Sequence, residues 1–203
     1  MITLQSEIGR ELLPEEADEN IRDLSERTAP GWRDLTAALL IEGIPTDNKP
    51  TYKAFGASGL RMDKAFGVDD YAFCEPFHVN HDIKVGGKAY VHIHWTTSGS
   101  NTNPVKWEFQ VSRAKGHDQQ YFSPEASYFV EQAPNEAWRH MIAEVADEDA
   151  LTLLEPDELI LVTVRRVTNG AVDNTDDVFG LTVDFHYEAD RDSTPNKVPN
   201  FYS

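Results

Sequence analysis

The side chains best placed for chemistry are the two histidines of His92-Ile93-His94-Trp95. In an extended strand, residues two apart project to one face, so both imidazoles come within reach of a single metal ion. A third ligand would have to come from elsewhere, and His186, with Asp184 or Glu188 beside it, is the candidate. Spacing does not fix that cross-strand adjacency. The competing reading, that these histidines hydrogen-bond to polar neighbours on a solvated or interfacial sheet face, is the one adopted, so no metal and no cofactor is expected. His78 and His81 flank the turn after Phe77 and read as polar surface, with an extension of the cluster as the alternative. Asp173-Asn174-Thr175-Asp176-Asp177 is rich in oxygen ligands, but it lacks the glycine and closing glutamate of an EF-hand loop and reads as an acidic connection between strands.

Other catalytic signatures are missing. The sequence contains no Gly-x-Ser-x-Gly elbow, no phosphate loop and no dinucleotide fingerprint. Cys74 sits in an apolar run, where a cysteine behaves as a small buried side chain. The many acids single out no glycosidase pair. A protein without enzymatic activity is expected.

These side chains must be positioned by strands. From residue 71 onward the pattern changes to period-two alternation broken by turn residues, predicting strands at 71–79, 88–97, 105–114, 127–132, 137–145, 158–168 and 178–188. In the second of these Ala89, Val91, Ile93 and Trp95 make the dry face, and Tyr90, His92, His94 and Thr96 the wet one. In the last, Phe179, Leu181, Val183, Phe185 and Tyr187 are expected on one face, against Thr182, Asp184 and His186 on the other. The strand at 158–168 has no polar face before Arg165, which predicts cover on both sides, by the segment before Tyr71 or by another subunit.

The fold class expected is therefore all-β, a jelly-roll-like antiparallel β-sandwich with a short N-terminal helical arm. Four parts follow: an acidic helical arm at 1–29, an irregular apolar covering segment at 30–70, the sandwich at 71–190 and an extended tail at 191–203. In the arm, acids precede bases as the helix dipole favours, and the few apolar residues Leu12, Leu13, Ile21 and Leu24 suit docking on a neighbour. Phe201 and Tyr202 are expected to do the same from the tail.

Charge and composition narrow the partners. Thirty-five acidic residues stand against eighteen basic ones in 203, a net charge of −17, with no basic cluster, so nucleic acid is not expected. One cysteine allows no intrachain disulfide. No run of eighteen apolar residues occurs and the first ten residues lack a signal-peptide pattern, so neither membrane insertion nor export is expected.

Two resemblances bear on function. The His-x-His strand is similar to the opening of a cupin metal site, but no glutamate follows His94 at the cupin spacing and the later cupin motif is not evident. More of the chain, roughly residues 30–114, resembles small virion proteins of tailed bacteriophages and prophages. The residues that carry this are Pro30-Gly31-Trp32-Arg33-Asp34-Leu35, Pro50-Thr51-Tyr52, the turn Phe77-His78-Val79-Asn80-His81-Asp82 with Gly86-Gly87, Val91-His92-Ile93-His94-Trp95 and Val105-Lys106-Trp107-Glu108-Phe109. The resemblance implies a particle-surface component: a capsid decoration protein, a head-spike or fibre base, or a collar or tail adaptor. It brings no catalytic residues. It also implies homo-oligomers or contacts with other virion proteins, assembly in a bacterial host cytoplasm and location in the virion. The alternative is a surface protein that binds host glycan, with Trp32, Trp138 and Tyr121 as stacking candidates.

Overall fold

The computed structural model describes residues 30–45, 47–56, 58–170, 172–190 and 193–202. The predicted helical arm, with Leu12, Leu13, Ile21 and Leu24, lies outside them. The described residues form an all-β, antiparallel sandwich of eleven strands: β1 (Gly31–Leu40), β2 (Thr51–Phe55), β3 (Arg61–Ala65), β4 (Tyr71–Cys74), β5 (Phe77–His78), β6 (Ala89–Thr97), β7 (Val105–Lys115), β8 (Ala126–Gln132), β9 (Met141–Glu144), β10 (Glu158–Val167) and β11 (Val178–Ala189). In the first sheet β11 has β6 and then β9 on one side, and on the other β1 and, at its start, β3 with β2. The second sheet runs from β4 and β5 through β10 and β7 to β8. β1 joins the two: residues 31–38 pair with β11, and Leu39 and Leu40 pair with β4.

Each of the seven segments expected from alternation contains a strand, though that expected at 137–145 is confined to Met141–Glu144, with a turn at Ala137-Trp138 before it. The expected strand at 71–79 is divided at Glu75-Pro76, where proline has no N–H for the ladder. The segment 30–70 departs from expectation: it contains β1, β2 and β3 rather than irregular cover. In β1 the alternation exists, with Ala37 and Leu39 inside, but the run Ala37-Ala38-Leu39-Leu40-Ile41 has no polar residue to reveal it. In β3 the polarity is inverted. Asp63 is 4 % exposed and Met62 53 %, because the buried carboxylate takes Arg61 at 2.6 Å and the Lys64 backbone N–H at 2.9 Å.

Between the sheets, apolar faces meet in one core. Trp95 of β6 packs edge-on to Trp107 of β7 at 6.0 Å, and Phe77 of β5 stacks on Phe185 of β11 at 5.7 Å. Burying a large aromatic contributes enough that truncating either tryptophan to alanine costs about 3–5 kcal/mol. Cys74 is buried in this core, and burial pushes its thiol well above the ordinary range, which makes it a packing residue and not a nucleophile.

β11 departs from simple alternation. Gly180 pairs with Trp95 and Thr182 with His94, so one extra residue sits in β11 between them. This bulge reverses the facing of the strand. Phe179 lies on the outer side, against Phe55 and Trp138, while Val183, Phe185 and Tyr187 point inward. Gly180 is required at the turn-over, since an added Cβ would stand 2.7 Å from Phe66 Cε2. Of the two covers expected over β10, the segment before Tyr71 does not supply one: Leu159 and Leu161 are each 37 % exposed, because no described segment crosses that face. The tail carries no strand among residues 193–202. Phe201, expected to dock on a neighbour, is instead 4 % exposed and packs on its own domain against His81 and His117, while Tyr202 is half-buried.

Candidate functional site

On the outer face of the first sheet, register aligns the polar residues of four strands. His92 of β6 lies opposite Glu144 of β9 on one side and Asp184 of β11 on the other, and Asp184 in turn lies opposite Thr36 of β1. His94 lies between Ile142 and Thr182, and His186 between Tyr90 and Asp34. The β11 bulge makes this possible. Without the extra residue, the phase set by Val178 would turn Asp184 and His186 into the core.

The result is a compact cluster. His92 Nε2 is 3.2 Å from His94 Nε2, His94 Nε2 is 3.1 Å from Asp184 Oδ2, and His92 Nε2 is 3.6 Å from the same oxygen. The outer ring nitrogens are also engaged: His92 Nδ1 is 3.1 Å from Glu144 Oε2, and His94 Nδ1 is 2.6 Å from His140 Nε2. His92 and Asp184 are 5 % and 8 % exposed. Asp184 Oδ1 is buried and has no hydrogen-bond partner among the described residues. His186 stands to one side, with Nδ1 3.6 Å from Glu144 Oε2 and 3.8 Å from Asp34 Oδ1, under the Trp32 ring at 4.9 Å.

The sequence pair His92 and His94 is thus brought together, and the third member is Asp184 rather than His186. Glu188 is not part of the cluster, since it accepts from Lys84 at 3.1 Å and from the Lys88 backbone N–H at 3.0 Å. His140 and Glu144 were not singled out from sequence. They belong to a short strand and its lead-in, and only pairing with β6 carries them to the site.

A second group of histidines surrounds Asp157, in the turn before β10. His78 Nε2 and His81 Nε2 lie 3.2 and 3.3 Å from Oδ1, and His117 Nε2 lies 2.8 Å from Oδ2. Burial acts to raise the Asp157 carboxyl, but the His117 hydrogen bond and the neighbouring His81 and His78 outweigh it and hold the group below its ordinary range. The acidic loop 173–177 is stapled to its surroundings. Asn174 Nδ2 donates to the carbonyls of Asn101 and Asn103, and Asp176 and Asp173 accept from the backbone N–H groups of Asn101 and Asn169. It therefore works as a strand connection.

Of the glycan candidates, Trp138 packs between Phe55 and Phe179, whereas Trp32 and Tyr121 are exposed. An open cleft of about 310 Å³ lies on the outer face of the second sheet, lined by Asp69, Tyr71, Phe73, Gln110, Thr163 and Arg165 among others.

Fold and cluster together define a β-sandwich with a histidine–carboxylate site on one outer face. No family model matches the sequence, and no curated protein matches it. Among solved structures, latent dimeric PorU of Porphyromonas gingivalis is similar over 80 % of this chain and 13 % of its own, at 8 % identity and a TM-score of 0.37. A structure of the Gx strain of infectious bursal disease virus is similar over 79 % of this chain and 32 % of that one, at 7 % identity and a TM-score of 0.41. The chain thus spans less than a third of the length of these two neighbours. The carbohydrate-binding module TmCBM61, solved with beta-1,4-galactotriose, is similar over 82 % of this chain and 90 % of its own, at 13 % identity and a TM-score of 0.26. At such scores none of the three bears on function.

Proposed function

We propose that this chain is a non-enzymatic structural subunit of a tailed phage or phage-like particle, at the capsid surface as a decoration protein or in the base of a head spike or fibre. A collar or tail adaptor is the variant of the same reading. The observation that carries it is the outer face of the second sheet, where Leu40, Phe73, Leu161 and Leu159 are each more than a third exposed. Register joins them: Leu40 pairs with Phe73, Phe73 with Thr163, and Leu161 and Leu159 follow Thr163 on the same face of β10. An apolar strip of this kind on a strongly acidic protein suits another subunit of the particle. The His-x-His-Trp resemblance supports the same placement, with assembly in the host cytoplasm and location in the virion.

The test is assembly of the full chain. Leu161→Glu or Phe73→Glu is expected to leave the chain folded, since more than a third of each side chain is exposed, and to weaken self-association or particle incorporation by at least about tenfold, which corresponds to about 1.4 kcal/mol. A protein that is monomeric at high concentration and enters no particle would sink the reading. A second reading, glycan binding, is favoured by the cleft where Tyr71 and Phe73 lie beside Gln110, Thr163 and Arg165, since sugars take aromatic faces together with planar polar groups. Binding on a glycan array that is lost in Tyr71→Ala would favour it over assembly.

A further inference from the structure

We infer that His92, His94 and Asp184 form a binding site for one divalent transition-metal ion of the zinc class, which ties β6 to β11. The inference rests on the ligand triangle and on proton accounting, and it does not depend on the particle reading. A tetrahedral ion with bonds of about 2.0–2.2 Å holds its ligand atoms about 3.3–3.6 Å apart. The three atoms here, His92 Nε2, His94 Nε2 and Asp184 Oδ2, are separated by 3.2, 3.1 and 3.6 Å. All three belong to one converging set.

Proton positions favour an ion over a hydrogen-bonded ring cluster. Glu144 can only accept, so Nδ1 of His92 is the donor in that contact, and the neutral ring then presents its lone pair at Nε2. If His94 likewise donates from Nδ1 to His140, two lone pairs and a carboxylate oxygen face one another with nothing between them. If His94 instead turns its proton inward, one hydrogen must serve both His92 Nε2 and Asp184 Oδ2, and the buried Asp184 Oδ1 still has no partner. Among the described residues, His92 and His94 are the ion-pair partners of Asp184, so no lysine or arginine balances this buried carboxylate. A divalent ion satisfies all of these groups at once, and Asp184 Oδ1 can share in its coordination.

The surroundings are those of a metal site. A histidine ligand ordinarily donates its far nitrogen to a carboxylate or another acceptor, which fixes its tautomer, and Glu144 and His140 stand at those positions. Two imidazoles and one carboxylate select zinc, cobalt, nickel or copper over magnesium and calcium. His92, Glu144 and His186 make a wider set that shares His92, so the experiment must separate the two.

The test is calorimetric titration of the full-length chain, stripped of metal with a chelator, against zinc chloride, with cobalt chloride as spectroscopic probe. The expected result is one zinc per chain, a tetrahedral cobalt absorption spectrum, and no heat or stabilisation from magnesium or calcium at equal concentration. His94→Gln and Asp184→Asn are expected to weaken zinc binding by at least about 100-fold. Glu144→Gln and His140→Ala, which act through the ligands, should weaken it by about tenfold, the low end for such partners. His186→Gln should leave it unchanged. If stripped protein unfolds and zinc restores it, the site is equally supported, because binding energy then appears as folding energy. Wild-type protein that stays folded and takes up no zinc would overturn the inference. So would binding that survives both ligand substitutions, or binding that His186→Gln abolishes while Asp184→Asn does not.

Discussion

The two histidine clusters use the same side chains to opposite ends. Around Asp184, two imidazole nitrogens and one carboxylate oxygen converge on a common point, and the second oxygen has no partner among the described residues. Around Asp157, three rings approach one carboxylate from three elements, and both of its oxygens are engaged. The first arrangement is short of positive charge at its centre. The second leaves neither carboxylate oxygen bare, since each has a ring nitrogen within hydrogen-bond distance. The difference lies in where the backbone delivers the residues. Strand register in β6 and β11 stacks ligands at close spacing, whereas the end of β5 at His78 and the turns carrying His81 and His117 spread them around an acceptor.

Metal dependence is the largest expected contrast between the two. Zinc at 100 times its dissociation constant stabilises a one-site protein by about 2.7 kcal/mol. For a domain of this size that corresponds to a rise of about 5–10 °C in melting temperature. Replacing His78, His81 and His117 together by Gln should leave the zinc-induced rise intact, while Asp184→Asn removes it. Thermal denaturation with and without zinc reads both outcomes, and a rise lost in the triple variant would erase the distinction between the clusters.

A smaller effect is expected from pH at the second cluster. The folded Asp157 carboxyl is held below its ordinary value, so the unfolded chain binds its proton first as pH falls. The stabilisation is therefore fully present above the ordinary aspartate range and is lost as pH drops through the lowered folded value. Asp157→Asn should cost about 1.5–3 kcal/mol at neutral pH, the range for hydrogen bonds to a charged group. The gap from wild type should close as the pH falls below the aspartate range. Chemical denaturation across that range measures it, and a constant gap would mean that packing and not charge holds the turn.

How much of this was legible in the sequence follows from which interactions are local. His92 and His94 are two residues apart on one strand, so their shared face is written in the spacing. Alternation located the seven strands from residue 71 onward for the same reason. Asp184 was named only beside His186, because choosing between them needs the β11 bulge, and one extra residue in a strand leaves no mark in a run such as Phe179-Gly180-Leu181-Thr182. Glu144 and His140 were invisible because pairing with β6 is a long-range event. β1 and β3 were missed for different reasons, a run too apolar to alternate and a strand whose buried residue is an aspartate. The outer face of β10 was read as covered since Leu159 and Leu161 are apolar, yet apolar character reports a preference for cover and not what supplies it.

The smallest expected effect concerns what the second cluster holds in place. His81 Nδ1 lies 2.5 Å from Thr194 Oγ1, and Phe201 packs edge-on to both His81 at 5.6 Å and His117 at 5.8 Å. Asp157 thus orients two rings on which the C-terminal residues rest, and the tail is bound to its own sandwich instead of reaching out. Thr194→Val keeps the size of the side chain and removes its hydrogen bonds to His81 Nδ1 and to the Asn196 carbonyl, each worth about 0.5–1.5 kcal/mol. That cost should fall on the tail alone, because neither the sheets nor the His92 cluster touch Thr194 in any described contact. Amide hydrogen exchange should quicken in residues 193–202 and stay unchanged in β6, β10 and β11. Asp157→Asn should quicken the same residues, since it releases the rings that carry them. If Thr194→Val instead quickened exchange in β6 or β11, the two clusters would be coupled through the sandwich, and the division between a ligand site and a tail anchor would fail.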